Sequence, residues 1–412
     1  MAVLKINNTL FFLSIVLFGL YPLVPEQYES YVPIIFITSS FIFFCVNIKR
    51  GVIWRPLILM SLIFVVFFVS CLLSDNTYLG FKKIETMLSL IAFPIACFWF
   101  LKNVKLDFVI IQSIFFKVFF ISNIIFSVIA YYLLSFYRNP KFSSKDADFF
   151  RNAIADIPYI GEHSIYISIF LAIAIIIGTF IFKQGNHNIL VKIGLIVGQF
   201  ILISLLLLLM SKGIIIALII AFLVPFIFRK KVSKKIIFGS AIIVILIFIL
   251  LPKHNNRFGE LLKKESFEQI DMNNSTSIRF YILKCSIKMM LEKPFFGHGL
   301  GDVQKELDFR YNINEEMLPS GKYNSHNQYL FVLLSTGVIG FIFFLLFLYY
   351  IFNIAIKNQD YFLLSILILF SISFLFENIL SRQSGVILFS FLVNFLVLKN
   401  LVLNKENLDN NC

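Results

Sequence analysis

The segment SHNQYLFVLLSTGVIGFIFFLLFLYYIFN, residues 325–353, decides the fold. After its first polar residues it runs from Gln328 to Asn353 without a charged side chain. A helix rises about 1.5 Å per residue, so a run of roughly 20 apolar residues crosses the hydrocarbon core of a membrane. The segment therefore predicts a membrane-spanning helix with a titratable side chain, His326, at its mouth.

Composition extends this prediction to the whole chain. Of the 412 residues 59% are hydrophobic and 52 are phenylalanine, more than a soluble chain of this length could carry. Apolar windows of spanning length recur, and they predict an all-α polytopic membrane protein with about twelve transmembrane helices. We place the spans near residues 9–25, 32–48, 56–73, 84–101, 107–136, 162–182, 189–209, 213–228, 236–251, 328–353, 361–380 and 385–403.

The distribution of lysine and arginine predicts the orientation. Lys5 precedes the first span, and no small-residue cleavage site follows it, so we expect a retained anchor with the N-terminus inside. Basic residues then favour the inner loops, as in the block RKKVSKK at 229–235, and both termini are expected to be cytoplasmic. The net charge of +13 is then accounted for largely by topology and attraction to lipid headgroups, and nothing indicates nucleic acid.

This topology puts two long segments, 137–161 and 252–327, on the outer side. It divides the chain into nine N-terminal helices (1–251), one large periplasmic loop (252–327) and three C-terminal helices with a cytoplasmic tail (328–412). Within the large loop, apolar residues of SIRFYILKCSIKMMLEKPFF (277–296) return every three or four positions until Pro294, which predicts an amphipathic helix on the membrane surface. The cysteines show no obvious pairing, so disulfides are not expected.

Polar side chains at the outer ends of spans are the candidates for chemistry, because such groups are costly in a membrane. They are Glu162, His163, Lys212, Arg279, His326, Asn327, Glu377 and Arg382. Lys212 could equally be a lysine that reaches the headgroups, and Arg279 could meet a lipid phosphate. His326 is the strongest catalytic candidate, since imidazole accepts a proton near neutral pH and the nearby Gly337 and Gly340 allow close helix packing.

Two motifs resemble the signature of the O-antigen ligase and polymerase superfamily of bacterial envelope proteins. They are PFFGHGLGD (294–302) and SHNQYLFVLLSTGVIGF (325–341). Arg279 stands where that family carries an arginine on the loop helix, and Lys212 stands where it usually has Ser-Arg at a helix end. EHSIYISIFL (162–171) and KKIETMLSLIAFPI (82–95) are weaker matches.

The resemblance implies a membrane glycosyltransferase of the bacterial inner membrane, with its active site on the periplasmic face. It implies transfer of a glycan from undecaprenyl diphosphate to an acceptor hydroxyl, with inversion, without a metal or other cofactor. His326 is assigned to deprotonating the acceptor, and Arg279 and Lys212 to the diphosphate. Substrate binding is assigned to Asn327, His163, Tyr166, Gly297, Gly299, Glu377 and Arg382.

Some alternatives stay open at this point. A ligase, with the lipid A core as acceptor, is favoured because the large late loop carries the signature, but a repeat-unit polymerase shares it. A transporter of lipid-linked glycan is disfavoured, since no internal repeat is seen. Lysine at 212 lacks the planar pair of donors that arginine has. His298 is unusual in the motif, and we interpret it as a loop residue. Lys117 either precedes its span or is a buried charge. Asp146 and Asp148 resemble a metal-binding pair that occurs often by chance.

Overall fold

The computed structural model describes residues 2–46, 52–101, 107–136, 149–156, 162–184, 187–228, 264, 267, 274–312 and 323–409, and this part is helical without strands. Its helices are α1 (Ala2–Gly19), α2 (Tyr31–Val46), α3 (Trp54–Leu72), α4 (Thr77–Met87), α5 (Ser89–Ile95), α6 (Phe108–Phe136), α7 (Phe149–Ala155), α8 (Ser164–Gln184), α9 (Ile189–Leu208), α10 (Lys212–Phe228), α11 (Ser275–Glu292), α12 (Val303–Asn312), α13 (Gln328–Lys357), α14 (Tyr361–Ser373) and α15 (Gln383–Asp409). The all-α prediction is confirmed.

Seven of the described helices are long and apolar enough to cross a membrane, and an eighth candidate is the bent pair Thr77–Met87 and Ser89–Phe100. Three shorter apolar helices, Thr9–Gly19, Lys212–Leu223 and Tyr361–Ser373, fall on predicted spans. The described residues do not include the predicted span 236–251. They also do not include most of residues 252–273, the first part of the predicted loop 252–327. A membrane protein is thus supported, while twelve spans and a periplasmic loop stay predictions.

Stacked phenylalanine rings hold the first helices against the last. Phe18 of α1 and Phe391 of α15 lie parallel, with ring centroids 3.8 Å apart, and both pack on Phe36 and Phe93. Lipid tails are as apolar as these side chains, so helix association in a membrane depends on close packing more than on removing apolar surface from water. The large phenylalanine content therefore has a packing role here.

The two ends of α14 carry different buried polar groups. At its N-terminus Asp360 accepts hydrogen bonds from Lys399 Nζ (2.8 Å) and Asn400 Nδ2 (2.9 Å), which ties α14 to α15. At its C-terminus, about 20 Å away along a 13-residue helix, the chain turns into the segment with Glu377. Lys117 lies on the exposed face of α6 and inside the candidate span Phe108–Ser135, so both interpretations of that lysine, a buried charge and a residue before its span, are wrong.

Helix α13 is broken at Gly337, and the PFFGHG loop fits into the break. Gly337 has φ +67° and ψ −171°, a conformation that L side chains rarely adopt. The loop supplies partners for the interrupted helix: His298 N donates to Leu334 O (2.8 Å), and Val338 N donates to Pro294 O (2.8 Å). A Cβ on Gly337 would overlap the backbone of Phe295. The glycines of both motifs therefore meet at one crossing.

Replacing Gly337 with alanine is expected to destabilise the protein. The positive φ costs roughly 1–3 kcal/mol for a residue with a Cβ, and overlap with the loop backbone adds to it. Thermal unfolding of the full chain in detergent should show a lower midpoint for Gly337→Ala. Gly194→Ala is the matched control, since its Cβ would meet nothing within 4 Å. Equal unfolding midpoints for the two variants would show that the close contact between Gly337 and the PFFGHG loop does not contribute to stability.

Candidate active site

Two chain segments, 323–328 and 374–380, are joined by the side chain of Asn378. Its Oδ1 accepts from Ser325 Oγ (3.1 Å) and from Asn327 N (2.8 Å). Gln328 completes the connection: its N donates to Phe374 O (2.7 Å) and its Oε1 accepts from Leu380 N (2.8 Å). These contacts fix the start of α13 against the segment that follows α14.

His326 sits in this junction in a strained conformation. Its φ is +42°, which is uncommon for a residue with a side chain, and its backbone N donates to Asn324 Oδ1 (2.7 Å). The imidazole Nδ1 lies 3.2 Å from Glu377 Oε2, with the His326 side chain 24% exposed and the Glu377 side chain 8% exposed. Since a carboxylate can only accept, Nδ1 carries the proton and Nε2 has the lone pair.

Glu377 is held as a carboxylate. Burial acts to raise the pKa of its carboxyl, but the hydrogen bond and charge of His326 outweigh it, and the charges of Arg279 and His163 act in the same direction. The result is a pKa lowered to about 2. Glu377 therefore stays ionised throughout the neutral range, where it orients the imidazole and stabilises an imidazolium.

Arg279 approaches the same carboxylate from a separate helix. It lies in the first turns of α11, which Asn274 caps by accepting from Thr276 N (2.9 Å) and Ser277 N (3.2 Å). The guanidinium is half-buried and close enough to lower the pKa of Glu377. The segment 277–296 therefore contains the predicted helix, while its amphipathic character and its place on the membrane surface stay predictions. The helix brings its arginine near the glutamate that contacts the histidine.

His163, Tyr166 and Arg382 form the other side of this cluster. Arg382 lies over the ring of Tyr166, with its guanidinium carbon 5.8 Å from the ring centroid, and the rings of His163 and Tyr166 are 6.1 Å apart. Burial and then the charge of Arg382 lower the pKa of His163 to about 4, although Glu377 opposes them. His163 is thus a neutral imidazole near pH 7. Tyr166 is only 1% exposed, so its ring forms a buried surface on which the guanidinium of Arg382 packs.

Lys212 begins α10 beside the same segment. The neighbouring Gly213 packs so closely on Phe376 that a Cβ would overlap its ring, and Phe376 directly precedes Glu377. On the other side, Ser211 Oγ lies 2.7 Å from Ser168 Oγ of α8. Lys212 is 9% exposed, so its ammonium is not simply in solvent at the surface.

The remaining predicted residues have local structural roles. Asn327 caps α13, since its Oδ1 accepts from Leu330 N (3.1 Å). Gly297 and Gly299 lie at the break of α13, near Gly337, about 15 Å along the axis from Asn327. The amide of Gly299 donates to Ser335 O (3.1 Å), so it serves the helix. His298, read as a loop residue, is buried and its Nε2 lies 2.9 Å from Met289 O.

The structure also brings in residues that sequence reasoning did not select. Arg151 of α7 lies near enough to His163 to act on its charge. Asn378, adjacent to Glu377, joins the two segments. Ser384 contacts both Glu29 and Glu162. The sequence holds only weak signals for these residues: a basic run around Arg151, and a polar residue beside each selected one.

The comparisons with known proteins bear on the same region. Residues 197–345 match the family model described as O-antigen ligase, a range that begins in α9 and ends in α13. A search of curated proteins finds no match. The matched range contains both motifs that carry the resemblance, 294–302 and 325–341, together with Lys212 and Arg279. Residues 197–345 are therefore similar to the O-antigen ligase family, and this match supports the resemblance of the chain to the O-antigen ligase superfamily.

Proposed function

We propose that the protein transfers a glycan from undecaprenyl diphosphate to a hydroxyl of the lipid A core on the periplasmic face of the bacterial inner membrane. One observation carries the proposal: a histidine held by a buried carboxylate lies beside an arginine from a separate helix. His326 Nδ1 is 3.2 Å from Glu377 Oε2, and the charge of Arg279 acts on the same carboxylate. A base beside a cation suits the displacement of an anionic leaving group by a hydroxyl.

The proposed reaction is one direct displacement. The acceptor hydroxyl gives its proton to His326 Nε2 while its oxygen forms a bond to the anomeric carbon of the donor sugar. The bond from that carbon to the diphosphate oxygen breaks, and the electron pair leaves with undecaprenyl diphosphate. Attack opposite the leaving group inverts the anomeric carbon. Glu377 stabilises the imidazolium, and Arg279 with Lys212 stabilises the charge that develops on the diphosphate.

His163 and Arg382 are proposed to bind the glycan or its phosphate. Arg382 is exposed, and its guanidinium packs on the ring of Tyr166, so it can reach a ligand. His163 is neutral near pH 7, which fits a hydrogen bond to a sugar hydroxyl better than a contact with phosphate. The polar groups of the cluster lie at helix ends, which favours surface chemistry over a transporter.

Glu377→Gln is expected to reduce turnover by about 10- to 100-fold with little change in KM. The amide keeps the size of the side chain but removes the negative charge that stabilises the imidazolium, an interaction made only as the proton moves. Steady-state transfer by purified protein in detergent or nanodiscs measures both constants. A rise in KM with unchanged kcat would instead assign Glu377 to substrate binding alone.

A repeat-unit polymerase is the second candidate, and Arg151 is the observation in its favour. This arginine comes from the segment 137–161, so a second predicted outer segment reaches the site. A polymerase must hold two glycans, one as donor and one as acceptor, and functional groups divided between two outer segments suit that task.

A deletion strain separates these functions. Lipopolysaccharide and the undecaprenyl-linked glycan pool are compared after complementation with wild type, His326→Ala or Arg279→Ala at matched membrane levels. Long glycan on undecaprenyl diphosphate with bare lipid A core, and no rescue by either variant, supports a ligase. Single repeat units on the carrier indicate a polymerase. Full rescue by both variants would contradict the assigned site.

A further inference from the structure

Three helix starts meet beside the candidate site at a pair of buried carboxyl groups. Ser384 Oγ lies 2.8 Å from Glu29 Oε2 and 2.7 Å from Glu162 Oε2. Glu29 is 1% exposed, Glu162 is 7% exposed and Ser384 is 3% exposed. Glu29 precedes α2, Glu162 precedes α8 and Ser384 lies in the first turn of α15, so the contacts join parts of the chain that are far apart in sequence.

Counting hydrogens shows that this arrangement needs an extra proton. A serine hydroxyl has one hydrogen, so it can donate to only one of the two carboxyl groups. The other short contact is a hydrogen bond only if its carboxyl group is protonated and donates to Ser384 Oγ. Two ionised carboxylates on either side of a buried hydroxyl would also repel each other in a medium that screens charge poorly.

Two buried phenol groups lie beside the pair and keep water from it. Tyr21 is fully buried beside Glu29, on whose carboxyl group its phenol acts as a hydrogen-bond partner, and Tyr166 is 1% exposed near Glu162. Burial raises the pKa of Glu162, although Ser384 and the His163 amide oppose it, so the protonated form persists at higher pH than usual. Among the described residues, the charged and titratable groups next to the pair are Tyr21, Glu26, His163, Tyr166 and Arg382, and Glu377 acts on Tyr166.

We propose that Glu29 and Glu162, bridged by Ser384, form a proton-binding site that holds one proton and positions the His163 and Arg382 side of the active site. The positioning follows from adjacency: Glu162 Oε1 accepts from His163 N (2.7 Å), and Arg382 is two residues before Ser384. Loss of the proton at alkaline pH puts two negative charges around Ser384, which separates the starts of α2, α8 and α15. This inference deepens the proposed glycosyl transfer and rests on it for its catalytic consequence.

The test uses the full chain in nanodiscs and begins with infrared spectroscopy, which detects the carbonyl stretch of a protonated carboxyl group. Wild type is expected to show one such buried group at pH 7 that titrates on the alkaline side. Glu29→Gln and Glu162→Gln should each abolish it, because the glutamine amide supplies the hydrogen that the remaining carboxylate and Ser384 need. Glu26→Gln, a change in an exposed neighbour, should leave it unchanged. No band, or a band that survives both neutralising variants, overturns the proposal.

Transfer activity supplies the second measurement. Ser384→Ala should lower kcat by about 100-fold, the cost of a misplacement of roughly 1 Å at the reacting groups. Wild type is expected to lose activity at alkaline pH, whereas Glu29→Gln should keep activity near pH 7 and not show this alkaline decline. Ser390→Ala, another buried serine of α15, controls for packing. If the band behaves as expected but no glycan is transferred, the proton site stands and the proposed function fails. If transfer occurs without the band, the proton site fails and the function stands.

Discussion

His326→Ala should lower glycosyl transfer by about 10²- to 10⁴-fold, the range expected when a general base is removed. The variant cannot take the acceptor proton, and Glu377 cannot substitute, because its pKa is lowered to about 2. Loss of the imidazole also removes the largest favourable interaction that keeps Glu377 ionised while buried, so the carboxyl group should take up a proton at higher pH than in wild type. Single-turnover transfer measured across pH detects the first effect, and infrared titration of Glu377 detects the second.

Two controls separate chemistry from folding in this experiment. His326→Gln keeps a hydrogen-bonding side chain for Glu377 but cannot act as a base, so it should be as inactive as His326→Ala while it is more stable. His187→Ala changes a histidine whose Nε2 lies 3.1 Å from Ile181 O in another part of the chain, and it should retain activity. A His326→Gln variant with near wild-type turnover would show that deprotonation of the acceptor does not depend on this residue.

The all-α fold class could be predicted from the sequence, and the candidate side chains could be selected from it, because both depend on local patterns. Apolar runs of spanning length and the return of apolar residues every three or four positions in 277–296 are properties of single segments. The structure confirms helices there and puts His326, Glu377 and Arg279 in one cluster. The resemblance to the family signature added the proposed role of each residue, which spacing alone does not contain.

Pairings across the chain could not be predicted in this way. Glu377 was a polar candidate at a span end, but its contact with His326, and that of its neighbour Asn378 with Asn327, depends on how α13 packs against the segment after α14. Glu29 lies in the short loop VPEQYES and gave no motif, since its significance comes from Ser384, 355 positions away. The assignment of Gly297 and Gly299 to substrate binding stays a prediction. Their backbone lies at the break of α13, a feature that only tertiary packing reveals.

Arg279→Ala should lower kcat for transfer by about 10²- to 10³-fold, comparable to the loss of one preorganised group that stabilises charge in a transition state. Arg279→Lys should recover only part of the activity, because an ammonium keeps the charge but not the planar pair of donors that fits two phosphate oxygens. Lys288→Ala removes an exposed cation from the same helix and should have little effect. Arg279→Ala with unchanged kcat would remove this residue from the proposed mechanism.

Arg279 also acts on Glu377, so loss of activity in Arg279→Ala has two possible causes that pH can distinguish. The guanidinium helps to lower the pKa of Glu377, and without it that pKa should rise, while the hydrogen bond from His326 still favours the carboxylate. A group with a depressed pKa is ionised above that pKa, so any activity lost through protonation of Glu377 must return as the pH increases. Activity lost because the diphosphate is no longer stabilised cannot return in this way. A deficit that persists from acidic to neutral pH therefore assigns Arg279 to the leaving group, and a deficit confined to acidic pH assigns it to Glu377.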